Sequence, residues 1–111
     1  MATTYKRLGA AAGNGTIATA STLYTVPAST ATVISTITVC NTSATAGTFS
    51  ISGSTTTSFI SGQEIVYQAA IAGNDTIGLT FGMTLDATNK YLLVSSSAAT
   101  IMFSVFGSEI A

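Results

Sequence analysis

Chemistry in this chain would have to come from very few side chains. Lys6, Arg7, Glu64, Asp75, Asp86, Lys90 and Glu109 are the only charged residues, histidine is absent, and Cys40 is the sole cysteine. General acid–base catalysis wants a histidine or two carboxylates at a defined separation. The four carboxylates here fall in four different segments, three of them at expected strand ends or turns, where an Asx side chain stabilises the turn or a charge is simply solvated. A serine or cysteine nucleophile needs an adjacent base, and only Lys6 and Lys90 are on offer. Zinc sets of Cys and His cannot be assembled, and one cysteine makes no internal disulfide. Gly13-Asn14-Gly15 has neither the lysine nor the spacing of a phosphate-binding loop. The reading is a non-enzymatic protein, with no catalytic residue, no cofactor and no metal. Cys40 is expected to pack as a small apolar residue, because no cation lies near it in sequence.

The elements that would position any site are strands. From Leu23 onward the pattern has period two, broken by Gly, Asn, Ser and Pro at about ten-residue spacing, as in an all-β sandwich or barrel. The expected strands are Leu23 to Val26 (stopped by Pro27), Thr32 to Asn41, Thr48 to Ser52, Glu64 to Ala69, Thr76 to Phe81, Lys90 to Ser95 and Thr100 to Phe106. In the second, Val33, Ser35, Ile37 and Val39 are assigned to one face and Ile34 and Cys40 to the other. In Thr76 to Phe81, Ile77, Leu79 and Phe81 alternate with Thr76, Gly78 and Thr80, and Gly78 suggests close approach by another backbone. Gly53 to Gly62 reads as an exposed loop with Phe59 and Ile60 tucked beneath it. The fold expected is a single antiparallel β-sandwich, or jelly-roll-like barrel, of seven or eight short strands. It would carry extended arms at both ends: residues 1–22 as an N-terminal arm and 107–111 as a C-terminal tail.

Tyr91 to Val94 and Ile101 to Phe106 are apolar on more than one face, whereas a sandwich strand has one inner face. The second face, with Leu93, Met102 and Phe106, is either a contact between protomers or lies under the N-terminal arm.

Composition sets limits on partners. The chain has 111 residues, a formal net charge of −1 and 6% charged residues, while Ser and Thr occupy 35 positions. With no basic stripe to neutralise phosphates, nucleic acid is not an expected partner. No apolar run reaches the ~18 residues of a membrane span, and no signal peptide is evident, so the chain reads as soluble and cytosolic in its producer. Small free monomers usually carry more charge to stay apart. A surface this neutral is therefore expected to be covered by other chains. Asn14, Asn41 and Asn74 stand in Asn-x-Ser/Thr triplets and are read as turn residues. Glycan binding lacks a Trp platform, and an ice-binding threonine ladder does not continue beyond Thr32, Thr36 and Thr38.

Several stretches, in this order, give the chain a family likeness. They are Tyr5-Lys6-Arg7-Leu8-Gly9, Leu23-Tyr24-Thr25-Val26-Pro27-Ala28, Val33 to Asn41, Ala46-Gly47-Thr48-Phe49, Ala72 to Ile77 with Leu79, and Phe103 to Ile110. Over most of its length the chain resembles small virion structural proteins of tailed bacteriophages, best represented in phages of marine cyanobacteria. It departs from them at Gly53 to Gly62, which is short and Thr-rich where relatives carry a longer, more charged loop. The resemblance implies a multi-copy component of the virion, made in the host cytoplasm, with a capsid decoration or cement role favoured. A tail, collar or fibre-associated module, or a receptor- or glycan-binding module, is the alternative. Its partners would be the major capsid protein or tail proteins, with homo-oligomerisation in the particle. The anchoring residues expected are Tyr5, Lys6, Arg7, Leu8, Leu93, Met102, Phe106 and Ile110, and removal of residues 1–9 is expected to leave a folded domain that no longer joins the particle.

Overall fold

A computed structural model describes residues 3–59 and 64–110, with Phe81 described by its backbone alone. Ile60 and the end of the loop to Gly62 lie outside the described residues, as do residues 1, 2 and 111 of the expected arms and the facing of the Phe81 side chain. Eight strands are present: β1 (Thr3–Ala12), β2 (Ser21–Thr25), β3 (Ala31–Asn41), β4 (Gly47–Ser54), β5 (Glu64–Ile71), β6 (Thr76–Leu85), β7 (Tyr91–Ser96) and β8 (Ile101–Ile110). They form two four-stranded sheets, ordered β1-β8-β3-β6 (sheet A) and β2-β7-β4-β5 (sheet B).

The pairing has a simple logic. β1 pairs with β8, β2 with β7, β3 with β6 and β4 with β5, all antiparallel, as if one long hairpin of strand pairs had been rolled up. Two further pairings, β3 with β8 and β4 with β7, complete each sheet. This is the eight-stranded jelly roll, a sandwich of two Greek keys. Strands rich in Val, Ile and Thr suit its pleated surfaces, because branching at Cβ disfavours the helical alternative.

The core lies between the inner rows. Ile34, Ile37, Val39, Ile101, Phe103 and Val105 from sheet A meet Phe49, Ile51, Leu92 and Val94 from sheet B. Phe49 and Phe103 pack edge to face, with ring centroids 6.2 Å apart and planes at 67°. Burial of each such side chain stabilises the fold by roughly 1.5–3 kcal/mol before conformational entropy is set against it.

Three expectations are corrected here. Residues 3–12 are strand rather than arm: β1 forms the edge of sheet A along nearly the whole of β8. Its apolar alternation is invisible because its inward positions include Lys6, Gly9 and Ala11, small or hydrogen-bonding residues where β1 passes close to sheet B. A Cβ on Gly9 would stand 2.7 Å from the Leu23 carbonyl oxygen. Residues 107–110 are likewise no tail, since β8 is an interior strand flanked by β1 and β3. Gly107 is buried there, and a Cβ on it would come 2.0 Å from the Val33 carbonyl oxygen, so only glycine lets β8 and β3 pair at that level.

The third correction concerns β3. Its register slips between Ile34 and Thr36, so the strand carries an extra residue relative to β8 and its faces exchange. Ile34, Ile37 and Val39 thus all point into the core, although strict alternation assigns Ile34 to the opposite face. β1 slips relative to β8 at Leu8, and β6 relative to β3 at residues 81 and 82, so the irregularities of β1, β3 and β6 fall at one level of sheet A.

Candidate functional site

The two sheets differ in what lies on their outward faces. On sheet B the outward row of β4 and β7 pairs Ser50 with Ser95 and Ser52 with Leu93. All four are buried, because loops of the chain itself lie over them. Ser95 Oγ donates to the Ile17 carbonyl at 2.8 Å, and Ser54 Oγ, in the same row, to the Ser58 carbonyl at 3.3 Å. Small hydroxyl side chains let those loops close down on the sheet.

The outward face of sheet A has no such cover among the described residues. Reading across β1, β8, β3 and β6, its rows are Tyr5–Ser108–Val33–Thr84, Arg7–Phe106–Thr36–Thr80, Ala10–Ser104–Thr38–Gly78 and Ala12–Met102–Cys40–Thr76. A further row starts with Thr3, Ile110 and Ala31. Arg7 is the only charged side chain in these rows. Tyr5 is 65% exposed and Met102 38%, both high for large apolar groups. Strand spacing of ~4.8 Å and a rise of ~3.3 Å per residue give this face an area on the order of 600 Å². That is somewhat below the ~800 Å² per partner of a standard stable interface.

Of the eight anchoring residues expected from sequence, five share this face: Tyr5, Arg7, Met102, Phe106 and Ile110. The others do not. Leu8 sits at the β1 bulge and packs against the core. Leu93 is fully buried and belongs to sheet B, so it forms no common face with Met102 and Phe106. Lys6 points to the other side of β1, where Nζ pairs with Glu109 Oε1 at 3.0 Å. Cys40 is half-buried in the outward face, opposite Ile37 and Val39 as alternation assigns it.

Lys6 belongs to a polar cluster that sequence reasoning missed. Tyr24 Oη donates to Glu109 Oε2, and Thr32 Oγ1 lies 2.9 Å from Tyr24 Oη. The four residues come from β1, β2, β3 and β8, so the cluster ties the sheets together where β2 crosses β1 and β8. Burial, reinforced by the hydrogen bond to Glu109, pushes the Tyr24 phenol up to about 12. The Tyr24 hydroxyl, and next Lys6, hold the Glu109 carboxyl below the usual carboxylate range. The opposite charges of Lys6 and Glu109 were the only available signal, and 102 positions of intervening sequence hid it.

Asp75 and Asp86 do turn work. Asp86 Oδ1 accepts from the Thr88 and Asn89 amides at 2.9 and 2.8 Å, and these bonds, that of Asn89 foremost, lower its pKa. Asp75 Oδ1 accepts from the Thr76 amide at 2.9 Å. Asn14 and Asn74 are turn residues, Asn14 Oδ1 accepting from the Thr16 amide and Asn74 in the left-handed conformation with φ 54°, whereas Asn41 is the buried last residue of β3, its Oδ1 accepting from the Ser43 amide and its Nδ2 donating to the Thr45 and Ala72 carbonyls. Among the described residues no three of His, Cys, Asp and Glu are grouped closely enough to hold a metal ion.

A cleft of about 340 Å³ opens beside β5, lined by Ile17, Ala18, Ser50, Phe59, Glu64, Tyr67 and Gln68. Tyr67 is 68% exposed at this cleft. Compared with protein-family models and with curated proteins, the chain matches none.

Proposed function

We propose that the protein is a non-enzymatic structural component of a bacteriophage virion, most specifically a multi-copy capsid decoration or cement protein that docks through the outward face of sheet A. The observation that carries this reading is that face: four strands wide, uncovered among the described residues, with one charge and exposed Tyr5 and Met102. Neutral hydroxyls and small apolar groups cost little to desolvate and lie flat against another protein. The family likeness of the sequence supports the same reading. So does the jelly roll, an architecture shared by viral capsid subunits and lectins, although a fold alone does not choose between functions.

The mechanism is mechanical. Each docked copy adds interface that must be lost before the shell opens, and an area below that of a standard interface is compensated by many copies on a regular lattice. The localisation is the virion, and the partners are the major capsid protein or, for a tail or collar module, tail proteins. The test is to add tagged protein to purified heads and tails from particles that lack it and image them by electron microscopy. Regular labelling of heads is the expected result. Labelling confined to tails moves the role to tail or collar assembly, and labelling of neither overturns the virion reading.

A second reading is favoured by the cleft beside β5. An exposed tyrosine ring next to Gln68 and Glu64 has the elements of a sugar subsite, an apolar platform with hydrogen-bonding groups at its rim. Micromolar binding of the purified protein to host polysaccharide, abolished by Tyr67→Ala, would establish a glycan-binding role in place of the structural one.

A further inference from the structure

A two-sheet sandwich leaves four edge strands, each a row of unpaired backbone donors and acceptors that would template pairing with another chain unless protected. Three of the four edges here carry a charged residue or end close to a proline. β1 bears Lys6 and Arg7 and a bulge at Leu8. β2 has five residues and ends two positions before Pro27. β5 starts at Glu64, slips register twice against β4, and holds Gln68 at φ 49°. β6 has only one of these, a register slip against β3 at residues 81 and 82. It runs ten residues from Thr76 to Leu85 with no charged residue and no proline.

The surroundings of β6 are open as well. Its inward Ile77, Leu79 and Met83 are only partly buried. Between β6 and the edge of sheet B lies a cleft of about 250 Å³ lined by Gly53, Ile65, Met83, Thr84, Leu85 and Asn89, where Ile65 is 41% exposed. A Cβ built on Gly78 or Gly82 meets nothing within 4 Å, so no neighbour inside the chain requires glycine at either position.

We infer that β6 is a self-association edge, pairing antiparallel with β6 of a second copy to join two A sheets into one eight-stranded sheet. A second copy is the occupant because a two-fold axis sets each side chain beside its own kind. A strand carrying Lys, Arg, Asp or Glu would meet like charges, and β6 alone among the long edges meets none. Faces must also match, inner row to inner row, which admits only registers centred on a residue. Centring on Thr80 sets Thr76 against Thr84, Gly78 against Gly82 and Thr80 against itself. It keeps Asp75 and Asp86 from opposing one another, and the new pairing covers Ile77, Leu79 and Met83 from the side. The shared edge is only about 30 Å long, so the association is weak and concentration-dependent. This inference does not rest on the virion reading, which uses the face of sheet A and not its edge.

Sedimentation equilibrium on the full chain tests it. The weight-average mass is expected to rise from 11.1 kDa toward twice that value as concentration increases from micromolar to millimolar. Thr80→Lys and Thr80→Glu, each on an exposed position and each checked for unchanged circular dichroism, should stay at monomer mass separately, because like charges then oppose across the axis. An equimolar mixture of the two should recover the rise. Ser104→Lys, on the outward face of sheet A but two strands from the edge, should behave as wild type. A wild-type mass that stays monomeric, a rise that survives in both Thr80 variants, or its loss in Ser104→Lys would each overturn the inference.

Discussion

Glu109 shows how one side chain ties the sheets together and sets a pH limit on stability. Its folded-state pKa lies below the ordinary 4.5, so its contribution is complete above that value and is lost as pH falls through the folded pKa. Tyr24 has the opposite sign: raised from 10.0 to about 12, it contributes fully below pH 10 and ceases to as pH rises toward 12. The gap in melting temperature between wild type and Glu109→Gln should therefore be widest near neutrality and narrow below pH 4.5. A gap unchanged from pH 7 to 3 would show that the cluster does not act through the carboxylate. Gly107 supports a sharper prediction. With the Val33 carbonyl 2.0 Å from its missing Cβ, Gly107→Ala must push β8 from β3 and should cost on the order of 2–4 kcal/mol, measured by urea unfolding. No turn pattern marks this glycine in the sequence; only the register of two strands distant in the chain explains it.

Strands are where the sequence was most legible, and where it failed the reason is physical. All seven strands expected from alternation are present, because half-buried strands write their faces as a period of two. β1 was missed because an edge strand whose inward positions are Lys6, Gly9 and Ala11 has no apolar period to read. The faces of β3 were misassigned because a bulge at Ser35 shifts the parity without leaving a distinctive residue. Such errors have consequences. Since residues 3–9 form most of the pairing that covers β8, deleting residues 1–9 should destabilise the fold itself, seen as a lower melting temperature or failure to fold; a truncated protein as stable as the full chain would restore the arm. In the core, Phe103→Ala removes the edge-to-face partner of Phe49 and should cost about 3–5 kcal/mol. A loss under 1 kcal/mol would mean that the two sheets pack less closely around this ring than a 6.2 Å centroid separation requires.

At the scale of the whole molecule, the outward β4–β7 row of one sheet is covered by the chain's own loops, and among the described residues the outward face of the other is uncovered and nearly uncharged. The surplus of hydroxyls over charges was legible in composition, but not which sheet would carry the exposed side. That depends on residues 13–20 crossing from β1 to cover sheet B, a path that only the three-dimensional topology fixes. Five of the eight anchoring residues expected from sequence were placed together by that topology, and Leu93 was lost to the covered sheet. The central claim is that the bare face of sheet A docks on the particle. Its most direct test is the occupancy of purified, undecorated heads by wild-type protein and by Met102→Lys, which adds a charge to an exposed position in the middle of the outermost complete row without touching the core. Regular decoration by wild type and its loss in Met102→Lys is the predicted result; equal decoration by both, or by neither, would contradict it.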